Sequence, residues 1–209
     1  MTNDKVDFLD LWIVEQRKLY RKEKAISEAA SIWYVGDTTV ELILSNIYDE
    51  KYVMQLPKDF SQTAKELRNK IYTIITEESE VYTNTNHSLF LVLQKIKHEA
   101  AKDQAVQYQS QMIETIREEI RGAVIYEQEQ MNVNDRDIYR VSYKSLAVDD
   151  TVYNESFWTM DEQDIYFGTF QCRFELYDEW MPVIRMMINS INKKVSEQNE
   201  GVQSRGRSI

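Results

Sequence analysis

Over the first 121 residues the apolar positions recur mostly at three- and four-residue spacing, the period of a helix with one buried face. Phe8, Leu9, Leu11, Trp12, Val14 and Leu19 make a broad stripe that predicts an amphipathic helix over residues 4–24. A second helical segment covers 26–34 and stops at Gly36. Thr38-Thr-Val-Glu41 has the spacing of a capping box and predicts a helix over 38–56, closed by Pro57. Asp59 or Ser61 caps a fourth helix through Ala64, Leu67, Ile71, Ile74 and Ile75. After a polar break over 77–87, one long helix is expected over 88–121. Its first third is apolar, its middle polar, and Met112, Ile113, Ile116 and Ile120 restore the stripe, so the middle reads as an exposed or partner-facing section.

At Gly122 the pattern changes. Segments 123–126, 138–148, 151–158 and 165–177 are rich in β-branched and aromatic residues and are separated by Asp- and Asn-containing turns. In the last of them Tyr166, Gly168, Phe170, Cys172, Phe174 and Leu176 alternate with Phe167, Thr169, Gln171, Arg173 and Glu175, the pattern of a half-buried antiparallel strand. A terminal helix over 179–195, with Trp180, Val183, Ile184, Met187 and Ile188 on one side, is the expected cover for that sheet. The fold class predicted is α+β: a helical N-terminal portion, residues 1–121, then a small antiparallel sheet with a C-terminal helix, 122–198, packed with it as one unit. Residues 199–209 have the composition of a tail.

Composition narrows the chemistry. The chain has 209 residues, with 5 Gly, 1 Cys and 2 His against 13 Tyr and 4 Trp. So few Cys and His cannot supply an ordinary zinc site, and no glycine pattern of a phosphate or dinucleotide loop occurs. His87 and His98 have no nucleophile or metal ligand at a recognisable spacing. Cys172 lies on the apolar face of its strand, where a thiol acts as a small hydrophobe. The single thiol excludes an internal disulfide, no basic and apolar leader precedes the first helix, and no run of about 18 apolar residues exists. A cytoplasmic, membrane-free location is expected, and the sequons at Asn86 and Asn154 read as chance matches.

The formal charge is −10, which disfavours duplex nucleic acid as a partner of the whole surface. Residues 17–24 are the exception, where Arg17, Lys18, Arg21, Lys22 and Lys24 stand against Glu23 alone. Their four-residue spacing lines Arg17 with Arg21 and Lys18 with Lys22. This patch, together with Arg205 and Arg207 in the tail, is the candidate partner-binding surface, for phosphate or for the acidic face of another subunit.

The acids supply the remaining candidates. Asp135 with Asp137, Asp149 with Asp150, and Asp161 with Asp164 would form a carboxylate–metal centre only if they converge, and each falls where a turn is expected, which Asp favours for local hydrogen-bonding reasons. Tyr139, Tyr143, Tyr153, Trp158, Tyr166 and Tyr177, with Trp12, Trp33, Tyr34, Tyr48 and Tyr52, exceed what one core needs, and some are expected in a subunit interface. The leading expectation is a non-enzymatic interaction or assembly protein without a cofactor, a subunit of a homo- or hetero-oligomer such as a virion or phage tail-connector component. The alternatives are an acidic inhibitor filling a basic groove of a nucleic-acid enzyme, and a carboxylate-metal enzyme.

Overall fold

The computed structural model describes residues 32–64, 68, 79–97, 105–161 and 164–194. The helix expected over 4–24, the basic patch of Arg17, Lys18, Arg21, Lys22 and Lys24, His98, and the tail with Arg205 and Arg207 lie outside them.

The described chain is mostly β, which overturns the helical N-terminal portion. Strands β1 (Ile32–Val35), β2 (Thr38–Ile47), β3 (Tyr52–Pro57), β4 (Ser61–Gln62), β5 (Glu80–Thr83) and β6 (Leu89–Lys97) precede helix α1 (Ala105–Glu119). They are followed by β7 (Val124–Val133), β8 (Arg136–Leu146), β9 (Thr151–Asp161), β10 (Asp164–Arg173), a 3-10 turn (Phe174–Leu176), helix α2 (Tyr177–Asn189) and β11 (Asn192–Lys193). Two antiparallel sheets result, one ordered β1-β2-β3-β11 and one ordered β4-β5-β6-β10-β9-β8-β7. The second runs across residue 121, because β6 pairs with β10 from Leu89↔Cys172 to Lys97↔Asp164.

Two local causes explain the correction. The Thr38 hydroxyl does not cap a helix; it donates backward to the Val35 carbonyl at 2.8 Å. There it closes the hairpin in which Val35 pairs with Thr38 around Gly36, whose φ is +58°. The run Thr38-Thr-Val-Glu-Leu-Ile is β-branched enough to continue from that turn as a strand. In β6 the run Leu-Phe-Leu-Val-Leu is apolar on both faces because both are covered, and periodicity alone cannot separate such a strand from a buried helix. Among the described residues of the long helix expected over 88–121, Leu89–Lys97 form β6 and the helical part is α1, with Gly122 (φ +65°) just beyond it.

The main core lies between the sheets. Leu89, Leu91, Leu93, Phe157, Tyr166 and Phe170 from the seven-stranded sheet meet Ile47, Tyr52, Met54 and Leu56 from the four-stranded one, with Trp180, Val183, Ile184, Met187 and Ile188 of α2 completing it. Gly168 lies opposite Phe157, and a Cβ at that position would sit 2.2 Å from the Phe157 ring, so the missing side chain is what lets that ring cross β10. On the other face of the large sheet, Tyr139, Val141, Tyr143, Trp158 and Ile165 pack with Ile116 of α1. Most of the strand-region aromatics, some of which are expected at an interface, fill this chain's own cores: Tyr139, Tyr143, Tyr153, Trp158 and Tyr166 are all buried, as are Tyr48 and Tyr52.

A charged network sits between the large sheet and α2. Arg140 and Glu155 are 3% and 0% exposed and bond at 2.5 Å across β8 and β9. Arg140 also bonds Glu129 of β7, the Tyr153 hydroxyl donates to Glu155, and Arg185 of α2 reaches Glu127. Charges this deep persist only when paired, so the network fixes β7, β8, β9 and α2 in one arrangement.

Candidate functional site

The sandwich is joined differently at its two ends. At the end holding the β2–β3 and β9–β10 turns, two relays cross between the sheets. Arg136 donates to the Tyr52 hydroxyl at 2.9 Å, and Tyr52 donates to Asp161 Oδ2 at 3.1 Å. Beside it Lys51 donates to the Tyr166 hydroxyl at 2.6 Å, and Tyr166 donates to Asp164 Oδ2 at 3.3 Å. The two tyrosine rings are 4.8 Å apart, with Tyr48 edge-on to both. Lys193 of β11 reaches Asp161 Oδ2 at 2.8 Å, Lys51 reaches the same oxygen at 3.3 Å, and Lys95 reaches Asp164 at 3.2 Å.

These contacts set the protonation states. Burial alone would raise the Asp161 carboxyl, but the bonds from Lys193 and Tyr52 and the charge of Lys51 outweigh it and hold the group at about 2. Burial keeps the Tyr52 hydroxyl protonated well above its usual range. It works against the charge on Lys51, yet the bonds to Tyr166 and Asp161 lift that pKa above the ordinary value. The turn that presents Lys51 is conformationally costly, since Tyr48, Asp49 and Glu50 all take left-handed φ values of 53°, 52° and 64°.

At the opposite end the sheets part, and a groove of about 620 Å³ opens between them. One wall is the start of β2, with Thr38, Thr39, Val40 and Glu41; the other is the β5–β6 turn, with Asn84, Thr85, Asn86 and Ser88; Leu176, Glu179 and Trp180 at the start of α2 close the back. The turn is built to hold its shape. Asn84 Oδ1 accepts from the amides of Ser88 at 2.9 Å and Leu89 at 3.0 Å, its side-chain nitrogen donates to Ser88 Oγ at 2.9 Å, and Asp59 accepts from the Thr85 amide at 3.1 Å. Glu41, Asp59 and Glu179 face the groove against Lys58, which pairs with Glu41 at 2.8 Å. The lining is thus rich in hydroxyls and amides and carries more negative than positive charge.

The six acids singled out from sequence do not converge. Asp161 and Asp164 anchor the two relays at one end, while Asp150 at the other bonds Arg173 at 2.7 Å. Asp137 accepts from the Asn132 side chain at 3.3 Å, Asp135 lies in the β7–β8 turn, and Asp149 in the β8–β9 turn. Among the described residues no group of three or more His, Cys, Asp or Glu is placed to hold a metal ion. His87 lies in the β5–β6 turn with φ +55°, stacked 6.2 Å from Phe90, and Cys172 is buried with its thiol pushed up to about 12 by burial. Sequence reading missed both the groove and the Lys51–Lys95–Arg136–Lys193 cluster; the one signal for the cluster was the acid pair Asp161 and Asp164.

Over the described residues, the chain conforms to the class of antiparallel sandwiches, with sheets of four and seven strands, one helix in the core and one on the outer face. No protein-family model matches it, and no curated protein matches its sequence. Solved structures do. The chain is similar to cyanobacterial PsbP (CyanoP) from Synechocystis, at 10% identity and a TM-score of 0.54 over 76% of this chain and 96% of that one. It is less similar to PA94 from Pseudomonas aeruginosa, a protein of unknown function described as a putative regulator (7% identity, TM-score 0.48, 74% and 99% covered). LpqN of Mycobacterium tuberculosis, involved in cell envelope biogenesis, stands at 7% identity and a TM-score of 0.46, with 76% and 93% covered. The CyanoP match extends the fold to a known shape and carries no function across. Among the described residues no helix is long and apolar enough to cross a membrane.

Proposed function

We propose that this chain is a non-enzymatic interaction module, a subunit of a larger assembly, which receives an extended segment of a partner protein in the groove between the β2 start and the β5–β6 turn. The observation that carries this reading is the groove itself: a concave site with walls already fixed by Asn84 and Asp59 and a lining of Thr, Asn and Ser side chains around three carboxylates and one lysine. Such a lining recognises backbone amides and cationic side chains, so the matching segment is polar and basic. A partner of that kind associates faster and more tightly at low salt. The acidic-inhibitor reading draws on net charge alone and gains nothing from the groove.

The test is a titration of the full chain with a short Lys/Thr-rich peptide and its Glu/Thr-rich counterpart, followed through backbone amide shifts. The basic peptide is expected to move Thr39, Thr85, Ser88 and Glu179 in a saturable, salt-weakened manner, and Asp59→Lys combined with Glu179→Lys to abolish the response. Equal responses to both peptides, or shifts that avoid these residues, would overturn the reading.

A further inference from the structure

We infer that the clasped end of the sandwich is a binding site for a phosphate-bearing small ligand, held between Lys51 and Lys193. Both ammonium groups lie on one oxygen of Asp161, at 3.3 and 2.8 Å, which places them within reach of a single tetrahedral oxyanion. Their layering favours access. The side chains of Lys51 and Lys193 are 35% and 38% exposed over a carboxylate that is 13% exposed, so an anion arriving from solvent meets the cations first. Lys95 stands over Asp164 in the same way.

The convergence of cations sets the ligand class. Lys51 and Lys193 meet on one oxygen of Asp161, Lys95 lies on Asp164 and Arg136 bonds the Tyr52 hydroxyl, so several cationic donors stand together over two carboxylates, an arrangement suited to a compact oxyanion such as phosphate. Of the other acids at this end, Glu50 pairs with Lys194 at 3.2 Å, Glu80 accepts from the Asp49 amide and the Tyr82 hydroxyl, and Asp137 accepts from Asn132, while Asp49 and Asp135 lie in the β2–β3 and β7–β8 turns. Lysines serve here as mobile point charges, suited to a compact anion. The overall charge of −10 argues for a small ligand over a nucleic acid backbone, which the rest of the surface repels.

The experiment is an amide-shift titration of the full chain with inorganic phosphate at constant ionic strength, set beside sulfate and acetate. Saturable shifts are expected at Lys51, Tyr52 and Lys193. Phosphate should bind at least about tenfold more tightly than acetate, and about tenfold more weakly in the double variant Lys51→Met, Lys193→Met, as expected when charge-assisted hydrogen bonds are lost. Lys193→Met alone, which leaves Lys51 on Asp161, provides a milder variant and should weaken phosphate to an intermediate degree. Lys194→Met, next in sequence but paired with Glu50, should leave binding unchanged. Non-saturating shifts, parity between phosphate and acetate, or undiminished affinity in either Lys193 variant would overturn the site.

Discussion

Arg140 and Glu155 bond at 2.5 Å across β8 and β9, and neither side chain reaches bulk water. Removing the arginine leaves a carboxylate that is 0% exposed and has lost its cation, with the Tyr153 hydroxyl still donating to it. Arg140→Met is therefore expected to cost roughly 3–5 kcal/mol in denaturant unfolding. Adding Glu155→Gln should recover part of the loss, because the uncompensated charge goes with it, and the double-mutant cycle should show strong coupling. Simple additivity would mean that the pair is not the unit described.

Gly168 should tolerate no larger residue. Alanine there would place a Cβ 2.2 Å from the Phe157 ring, inside a close-packed core. Overpacking of this kind costs roughly 1–3 kcal/mol, and Phe157→Leu in the same chain should relieve it in part. Thermal unfolding of the two variants against the parent measures both effects.

Asp161 links stability to acidity. Its pKa is depressed in the folded chain to about 2, so its contribution is fully present above the ordinary carboxylate value and is lost as pH falls from about 4 through 2. The stabilisation at stake is about 2 kcal/mol. Asp161→Asn should be less stable than the parent at neutral pH and should show a flatter stability profile between pH 5 and 2. Parallel profiles for the two proteins would contradict this.

Asn84 holds the groove wall through two accepted amide bonds and one donated bond. Asn84→Ala should cost roughly 1–2 kcal/mol, since two buried or half-buried amides lose their acceptor. Hydrogen exchange at the Ser88 and Leu89 amides should speed up by about tenfold or more while α2 stays protected. Uniform acceleration across the chain would show that the turn has no local role.

The alternation through Phe170 and Cys172 was legible because one face of β10 looks into the core and the other is mixed, and the apolar face of α2 was legible for the same reason. The first half of the described chain misled because its signals are shared between structures. Thr38 and Glu41 stand at capping-box spacing by coincidence, and the Leu89–Leu93 run is equally apolar whether strand or buried helix. The groove was not readable, being made of a turn, a strand start and a helix start that only the fold brings together. The basic cluster was hidden likewise: sequence drew attention to neighbours such as Lys18 and Lys22, whereas Lys51, Lys95, Arg136 and Lys193 come from four separate elements of both sheets. Asp161 and Asp164, which the sequence offers as candidate metal ligands, anchor cations and tyrosines in the fold.

The unequal joining of the two sheets has a thermodynamic consequence for recognition. Since the tyrosine relays already hold the sheets together at one end, and Asn84 and Asp59 already shape the rim at the other, the segment proposed to enter the groove would have little of the host left to immobilise. Most of the entropy lost on association then belongs to the incoming chain, so rigidifying that segment should raise affinity far more than any further stiffening of the receptor.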